Sequence, residues 1–289
     1  MEERILGKTG LRVSAFAFGG IVVRNTTADE AKNAVAEAVE RGISYFDVAP
    51  SYGDAQQMLG PALEPWRAKI YLACKTEKRT KKEALEALHN SLKLLRTDYF
   101  DVYQMHGVDP ADVDTVLGPG GALEAFVEAK KQGLVRNIGF STHFDEVAVR
   151  LINAFDFDTL LFPVNWACRL KNGLSTAALE AAARKNMGRI AIKALAERAK
   201  EPRDDGYPKC WYRPIFDDPA LAELALRFTL SQDVHTAVSP GDLRMLRLGL
   251  SVMEKYQGSP PPLSAEELAE LRRRAGEVEH TVFQAAIPK

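Results

Sequence analysis

The sequence predicts an α/β fold in which eight parallel strands, each followed by a helix, close into a (β/α)8 TIM barrel. An N-terminal β-hairpin and an extra C-terminal helix are expected as additions. Three observations point there. Short apolar runs alternate with amphipathic stretches along the chain, and that alternation implies parallel strands joined by right-handed crossovers. Eight such units follow one another with no low-complexity break, which favours a closed barrel over an open sheet. The length of 289 residues suits one barrel, so residues 1–289 read as a single domain.

The strand-like runs are residues 14–18, 44–48, 70–74, 100–105, 135–140, 159–164, 189–193 and 234–238. The helical stretches between them are 28–41, 55–63, 81–95, 121–132, 146–154, 175–185, 219–231 and 242–256. Leu85, Leu88, Leu92 and Leu95 recur at the spacing of one buried helix face. Long connections follow the fourth strand, over residues 107–120, and the seventh, over residues 194–218. Loops after barrel strands share one face, where active sites are built, so both connections are expected to shape a pocket. After Pro260-Pro261-Pro262, Ser264 and Glu267 have capping-box spacing and open a helix over about residues 265–278.

Composition excludes several classes of function. Hydrophobic residues are 46% and charged residues 27%, the balance of a folded protein with a sizeable core. A net charge of −1 gives no electrostatic footprint for nucleic acid or an acidic membrane. No run approaches the roughly 20 apolar residues that span a bilayer. Met1-Glu2-Glu3-Arg4 opens the chain with no apolar stretch behind it, so no signal peptide and a cytoplasmic location are expected. Cys74, Cys168 and Cys210 have no metal-ligand spacing, and no metal is expected. No heptad run appears, leaving a monomer or small homo-oligomer.

Asp47, Lys75 and His106 end the second, third and fourth strands, so they should face the same cavity mouth. Tyr52 follows in the loop after Asp47. Each alone has a plainer explanation: a turn aspartate, a packed tyrosine, a structural histidine. Together they form one chemical unit. A phenol titrating near ~10 is a poor acid at neutral pH unless its anion is stabilised. Lys75 would supply that stabilisation, and Asp47 would keep the lysine charged. His106 could hold a substrate oxygen beside Tyr52, which would protonate it while a hydride arrives at the carbon.

These residues, with their flanks, resemble the aldo-keto reductase family nearly end to end. Gly7-Lys8-Thr9-Gly10-Leu11-Arg12-Val13-Ser14 is similar to its N-terminal hairpin, and Phe18-Gly19-Gly20 to its first strand end. Phe46-Asp47-Val48-Ala49-Pro50-Ser51-Tyr52-Gly53 resembles its Asp-to-Tyr signature. The run from Leu94 to His106 resembles the approach to its histidine, and Gly133 to Ser141 its fifth strand. The resemblance implies carbonyl reduction by direct hydride transfer from NADPH, with NADH possible, to a small aldehyde or ketone. It assigns the catalytic tetrad to Asp47, Tyr52, Lys75 and His106. It also assigns cofactor contacts to Ser141, Thr142, Asn165, Ile192, Lys193 and Gly241, and the reading of a 2′-phosphate to Arg244 or Arg247. Val22, Trp166, Trp211 and Tyr212 are candidate substrate walls. The chain departs from the family pattern at Thr142, Leu161, Ile192 and Leu248-Gly249-Leu250.

Two other readings stay open. A barrel aldolase could form a Schiff base through Lys75 or Lys193, since a strand-end lysine in a dry pocket has the depressed pKa this needs. A cofactor-sensing binding subunit without turnover is the second, because the nicotinamide contacts are thinned.

Overall fold

A computed structural model describes residues 1–204 and 206–283. Asp205, in the long connection after the seventh expected strand, and residues 284–289 lie outside the described residues. The chain opens with strands β1 (Glu3–Ile5) and β2 (Arg12–Ser14), which pair antiparallel with Glu3 opposite Ser14. Leu6 and Val13 of this hairpin are fully buried.

Barrel strands and helices then alternate. They run β3 (Phe16–Gly19), α1 (Ala28–Glu40), β4 (Tyr45–Asp47), α2 (Ala55–Leu63), β5 (Tyr71–Thr76), α3 (Lys81–Leu94) and β6 (Phe100–Met105). Next come α4 (Val113–Leu117), α5 (Ala122–Lys131), β7 (Val135–Ser141), α6 (Asp145–Ala154), β8 (Thr159–Pro163), α7 (Trp166–Asn172), α8 (Thr176–Arg184) and β9 (Gly188–Ile192). A second hairpin, β10 (Ala196–Ala199) with β11 (Tyr212–Pro214), precedes α9 (Pro219–Ser231), β12 (Thr236–Val238), α10 (Leu243–Lys255) and α11 (Ala265–Glu277). The barrel is closed in the order β12-β3-β4-β5-β6-β7-β8-β9. All its pairings are parallel, as expected where helices cover both crossover and sheet.

Local chemistry sets the element ends. Thr27 and Glu30 form a reciprocal capping box at the start of α1, and Ser264 and Glu267 do the same for α11. The first barrel strand starts at Phe16 rather than at residue 14, because Ser14 is taken by the hairpin. The seventh stops at Ile192, since Lys193 turns out of the strand at φ 68°. The hairpin β10–β11 and helices α4 and α7 were not expected from the sequence; each is too short to show a period. Among the described residues, no helix is long and apolar enough to cross a membrane.

Candidate active site

Alternate residues of a barrel strand face the interior. Tyr45, Ala73, Val102, Leu161, Ile190 and Val238 share one buried cluster with Leu6 and Val13 of the hairpin, which closes the barrel's N-terminal end. Two residues further along the strands, the same alternation brings Asp47, Lys75, Gln104 and Ile192 to the opposite end. His106 comes two residues after Gln104. Period two thus collects groups from separate strands above one apolar floor.

Lys75 donates to Asp47 Oδ2, and both side chains are almost fully buried. Gln104 Nε2 donates to the other carboxylate oxygen at 3.2 Å. The Lys75 ammonium lies 5.4 Å from the Tyr52 ring centroid, and the Tyr52 and His106 rings meet edge-on at 5.9 Å. His106 Nδ1 is 3.3 Å from Glu77 Oε1 and 3.4 Å from Ser51 Oγ. Arg79 donates to the backbone carbonyls of His106 and Gly107, both at 2.9 Å, which fixes the chain where β6 ends.

The electrostatics differ from a simple lysine-activated phenol. Burial pushes the Tyr52 phenol up by more than Lys75 pulls it down, so its pKa lies above the ordinary value. Burial opposes the Lys75 charge, but Asp47 and then Tyr52 more than offset it, and the ammonium is held up. His106 is pushed down by burial, with Glu77 acting against that shift. Glu77 itself is pulled down to about 2, first by its hydrogen bond with His106.

A cavity of about 560 Å³ opens above these groups. It is lined by Asp47, Tyr52, Lys75 and His106, and also by Ser141, Ile192, Lys193, Gly241, Trp211 and Tyr212. Ser141 Oγ accepts the Gly107 N–H at 2.8 Å, which leaves its own O–H free to donate. Gly241 is a required glycine, for a Cβ there would come 1.6 Å from Ile21 Cγ2.

Six of the expected binding residues lie elsewhere. Thr142, one residue past Ser141 and so on the other face, is fully buried with its hydroxyl on the Val108 carbonyl. Asn165 caps α7 through the Cys168 N–H and donates to the carbonyls of Lys193 and Ala196. Trp166 is a core residue whose indole N–H goes to the Ala196 carbonyl. Val22 is buried, with its carbonyl accepting from Lys209. Arg244 binds Asp242 and the Gly206 carbonyl, and Arg247 is paired with Glu37 across the helix layer.

Other lining residues carry charge that sequence reasoning missed. Arg24, Lys200 and Lys209 join the cavity, as does His143, whose ring burial pushes down to about 4 and so leaves neutral, and among the described residues Asp47 is the only carboxylate lining it. Gln104, Glu77 and His143 each stand two residues from a recognised site residue on the same strand or its extension, so alternation could have found them. Arg24 and Lys209 come from distant loops and carry no such signal. A surplus of cations beside Gly19, Ser239 and Gly241 suits a phosphate-bearing nucleotide, so the residues present fit a nicotinamide cofactor. No group of three or more His, Cys, Asp or Glu among the described residues could hold a metal ion.

The chain is similar in sequence and in fold to known oxidoreductases. The chain is 26% identical over 282 residues to an uncharacterized oxidoreductase, YqkF, of Bacillus subtilis, a match covering 86% of this chain and 89% of that protein. It is 31% identical over 156 residues to the L-galactose dehydrogenase of Arabidopsis thaliana, covering 49% of this chain and 48% of the relative. The holo form of the aldo-keto reductase AKR11C1 from Bacillus halodurans superposes with a TM-score of 0.73 over 99% of both chains at 24% identity, which shows the shared fold. The model of the Aldo/keto reductase family matches residues 15–208, more than half of the chain. On that match, over a closed eight-stranded barrel, the chain belongs to the aldo/keto reductase family.

Proposed function

We propose that this protein reduces aldehyde or ketone carbonyls to alcohols, with Tyr52 as general acid and NADPH as the favoured hydride carrier. The observation that carries this reading is the meeting of Tyr52, His106 and the buried Lys75–Asp47 pair at one wall of a cation-rich cavity. A bound reduced nicotinamide supplies the hydride. The chain's own residues do the rest. His106 holds the carbonyl oxygen beside Tyr52, whose O–H gives its proton to that oxygen as the carbon gains hydride. Lys75 faces the phenolate left behind, and Asp47, fixed by Gln104, keeps the ammonium charged.

Burial keeps the proton on Tyr52 before reaction but makes the phenol a weaker acid, so the acid role rests on Lys75 stabilising the phenolate as it forms. Lys75 then matters most when the oxygen becomes negative, which is the differential stabilisation a catalyst requires. Ser141, Ile192 and Gly241 would bind the nicotinamide and phosphate regions. With Arg244 and Arg247 already paired, Lys209 and Arg24 would meet the phosphates that NADPH and NADH share, and the preference for NADPH rests on the family resemblance. Three free, buried cysteines support a reducing, cytoplasmic setting.

Tyr52→Phe removes the proton donor while keeping the ring. Turnover of a carbonyl panel by this variant is expected to fall roughly 10²- to 10⁴-fold, with NADPH still bound. Unchanged turnover would overturn the mechanism. The aldolase reading retains one supporting observation, that burial pushes Lys193 down to about 8. Borohydride trapping of a lysine adduct would support it, and no adduct is expected.

A further inference from the structure

Lys193 occupies an unusual turn. Its φ of 68° is a left-handed conformation that non-glycine residues adopt only when their surroundings enforce it. The surroundings do so. Asn165 Nδ2 donates to the carbonyls of Lys193 at 3.0 Å and Ala196 at 2.7 Å, and the Trp166 indole N–H adds a bond to Ala196 at 3.0 Å. Two buried polar side chains are therefore committed to presenting one lysine.

That turn lays the ammonium 4.4 Å from the Trp211 ring centroid and 4.8 Å from that of Tyr212. The cavity's other lysines have acceptors: Lys75 has Asp47, Lys209 the Val22 carbonyl, and Lys200 the carbonyls of Tyr207 and Cys210. Lys193 has no acceptor among the described residues, only the two rings. It is half-buried by surface area, yet enough protein surrounds it to push it down to about 8, so at neutral pH it is largely a charged group awaiting an anion. Its field reaches Cys210 first, then Lys75 and also His143, and the Tyr212 ring it faces in turn feels Tyr52. Lys209 instead feels Asp242, Glu30, Asp54 and Arg24 at the Gly241 end. The unpartnered charge therefore sits toward the reacting end of the cavity.

We propose that Lys193, flanked by Trp211 and Tyr212, is a substrate-recognition cation that selects carbonyl compounds carrying a carboxylate. The proposal rests on the reductase reading above. In it the carbonyl carbon gains hydride from reduced nicotinamide, its oxygen gains the Tyr52 proton, and the carboxylate stays unchanged against the ammonium. One monocation between two apolar rings matches one carboxylate, whereas a phosphate dianion would need more donors.

The test compares carboxylates with their neutral amides: succinic semialdehyde with 4-oxobutanamide, and 4-carboxybenzaldehyde with 4-formylbenzamide. The full-length enzyme with saturating NADPH is expected to favour the carboxylate of at least one pair in kcat/KM. Lys193→Met should reduce that ratio roughly 10- to 100-fold, and Lys193→Arg should keep most of it. The ratio cancels any general loss in the variant. A wild-type ratio near one for both pairs overturns the proposal, as does a ratio that survives Lys193→Met. So does a rise in the NADP⁺ dissociation constant with the ratio intact, which would assign the ammonium to the cofactor. If the wild type turns over no carbonyl, the reductase reading fails on its own. Succinate affinity by calorimetry then decides the anion site: loss in Lys193→Met upholds it, and equal affinity overturns it.

Discussion

At Tyr52 the competition between burial and charge leaves the proton on the oxygen, and the neighbouring groups then decide how readily it leaves. His106 is the least secured of them. Its ring is pushed down by burial, and Glu77, which touches Nδ1, opposes that shift. Glu77→Gln removes the opposing charge, so the apparent pKa belonging to His106 should move lower in the pH profile of kcat/KM. The rate itself should fall roughly 10-fold as the ring loses its orientation. A profile that does not move would remove Glu77 from the site. Lys193 gives a second titration. An ammonium pushed down to about 8 is charged below that pH and neutral above it. Burial sets that value first, with Cys210 acting against it and Lys75 with it, while His143 also faces the ammonium. Preference for a carboxylated aldehyde over its amide is therefore expected to fade as pH rises from 7 through about 8 to 9. Steady-state kinetics on the matched pairs reads this directly.

The elements show where a pattern in sequence is strong enough to fix structure. Of the four leucines picked out in α3 and its end, Leu88, Leu92 and Leu95 are buried and Leu85 is partly buried, so periodicity found a packed face without further help. At the floor end of β6 the pattern is instead polar. Asp101 is buried, accepting from the Leu72 N–H at 3.0 Å while pairing with Arg67 and Arg136, each also at 3.0 Å. Both arginines stack on Tyr99, at 4.2 and 3.8 Å from its centroid. Asp101→Ala would strip the Leu72 N–H of its acceptor, while the partly buried Arg67 would keep the Thr97 hydroxyl and the Ile70 and Tyr99 carbonyls. Chemical denaturation should show a loss of about 1–3 kcal/mol. A loss below about 1 kcal/mol would mean that water replaces the carboxylate. Nothing in the run around Asp101 announces this role, because its partners come from other elements. The same holds for β10 and β11, whose few residues carry charge and no period, and which form only by pairing with each other.

On the scale of the molecule, the barrel is closed at its floor by the N-terminal hairpin and strapped at its side by α11. Arg227 of α9 is buried and holds that strap. It donates to both carboxylate oxygens of Glu267, at 2.6 and 2.8 Å, and to the carbonyls of Pro261 and Pro262. Beyond α11 the chain returns to the cavity, where the His280 carbonyl accepts from Ala199 and Phe283 stacks on His143 at 4.5 Å. Arg227→Ala should therefore loosen the tail as well as lower stability, by about 1–3 kcal/mol. Protease cleavage after the Pro260-Pro261-Pro262 run should accelerate, and KM should rise because Phe283 no longer packs against His143 and Trp211, which line the cavity. Unchanged cleavage would show that the strap is held by other contacts. The sequence by itself determined the barrel, because alternation of apolar runs with helical faces is a local periodicity. It also grouped Asp47, Lys75 and His106, because strand-end positions share one face, while Tyr52 in the following loop joined them through their combined chemistry and the family resemblance. Only the tertiary structure decided that Asn165 and Trp166 shape a turn rather than line the cavity, that Arg244 and Arg247 are already paired, and that burial outweighs Lys75 at Tyr52. Each of these depends on which groups come within a few ångströms across long stretches of chain. Desolvation and pairing arise from that proximity, which no local pattern encodes.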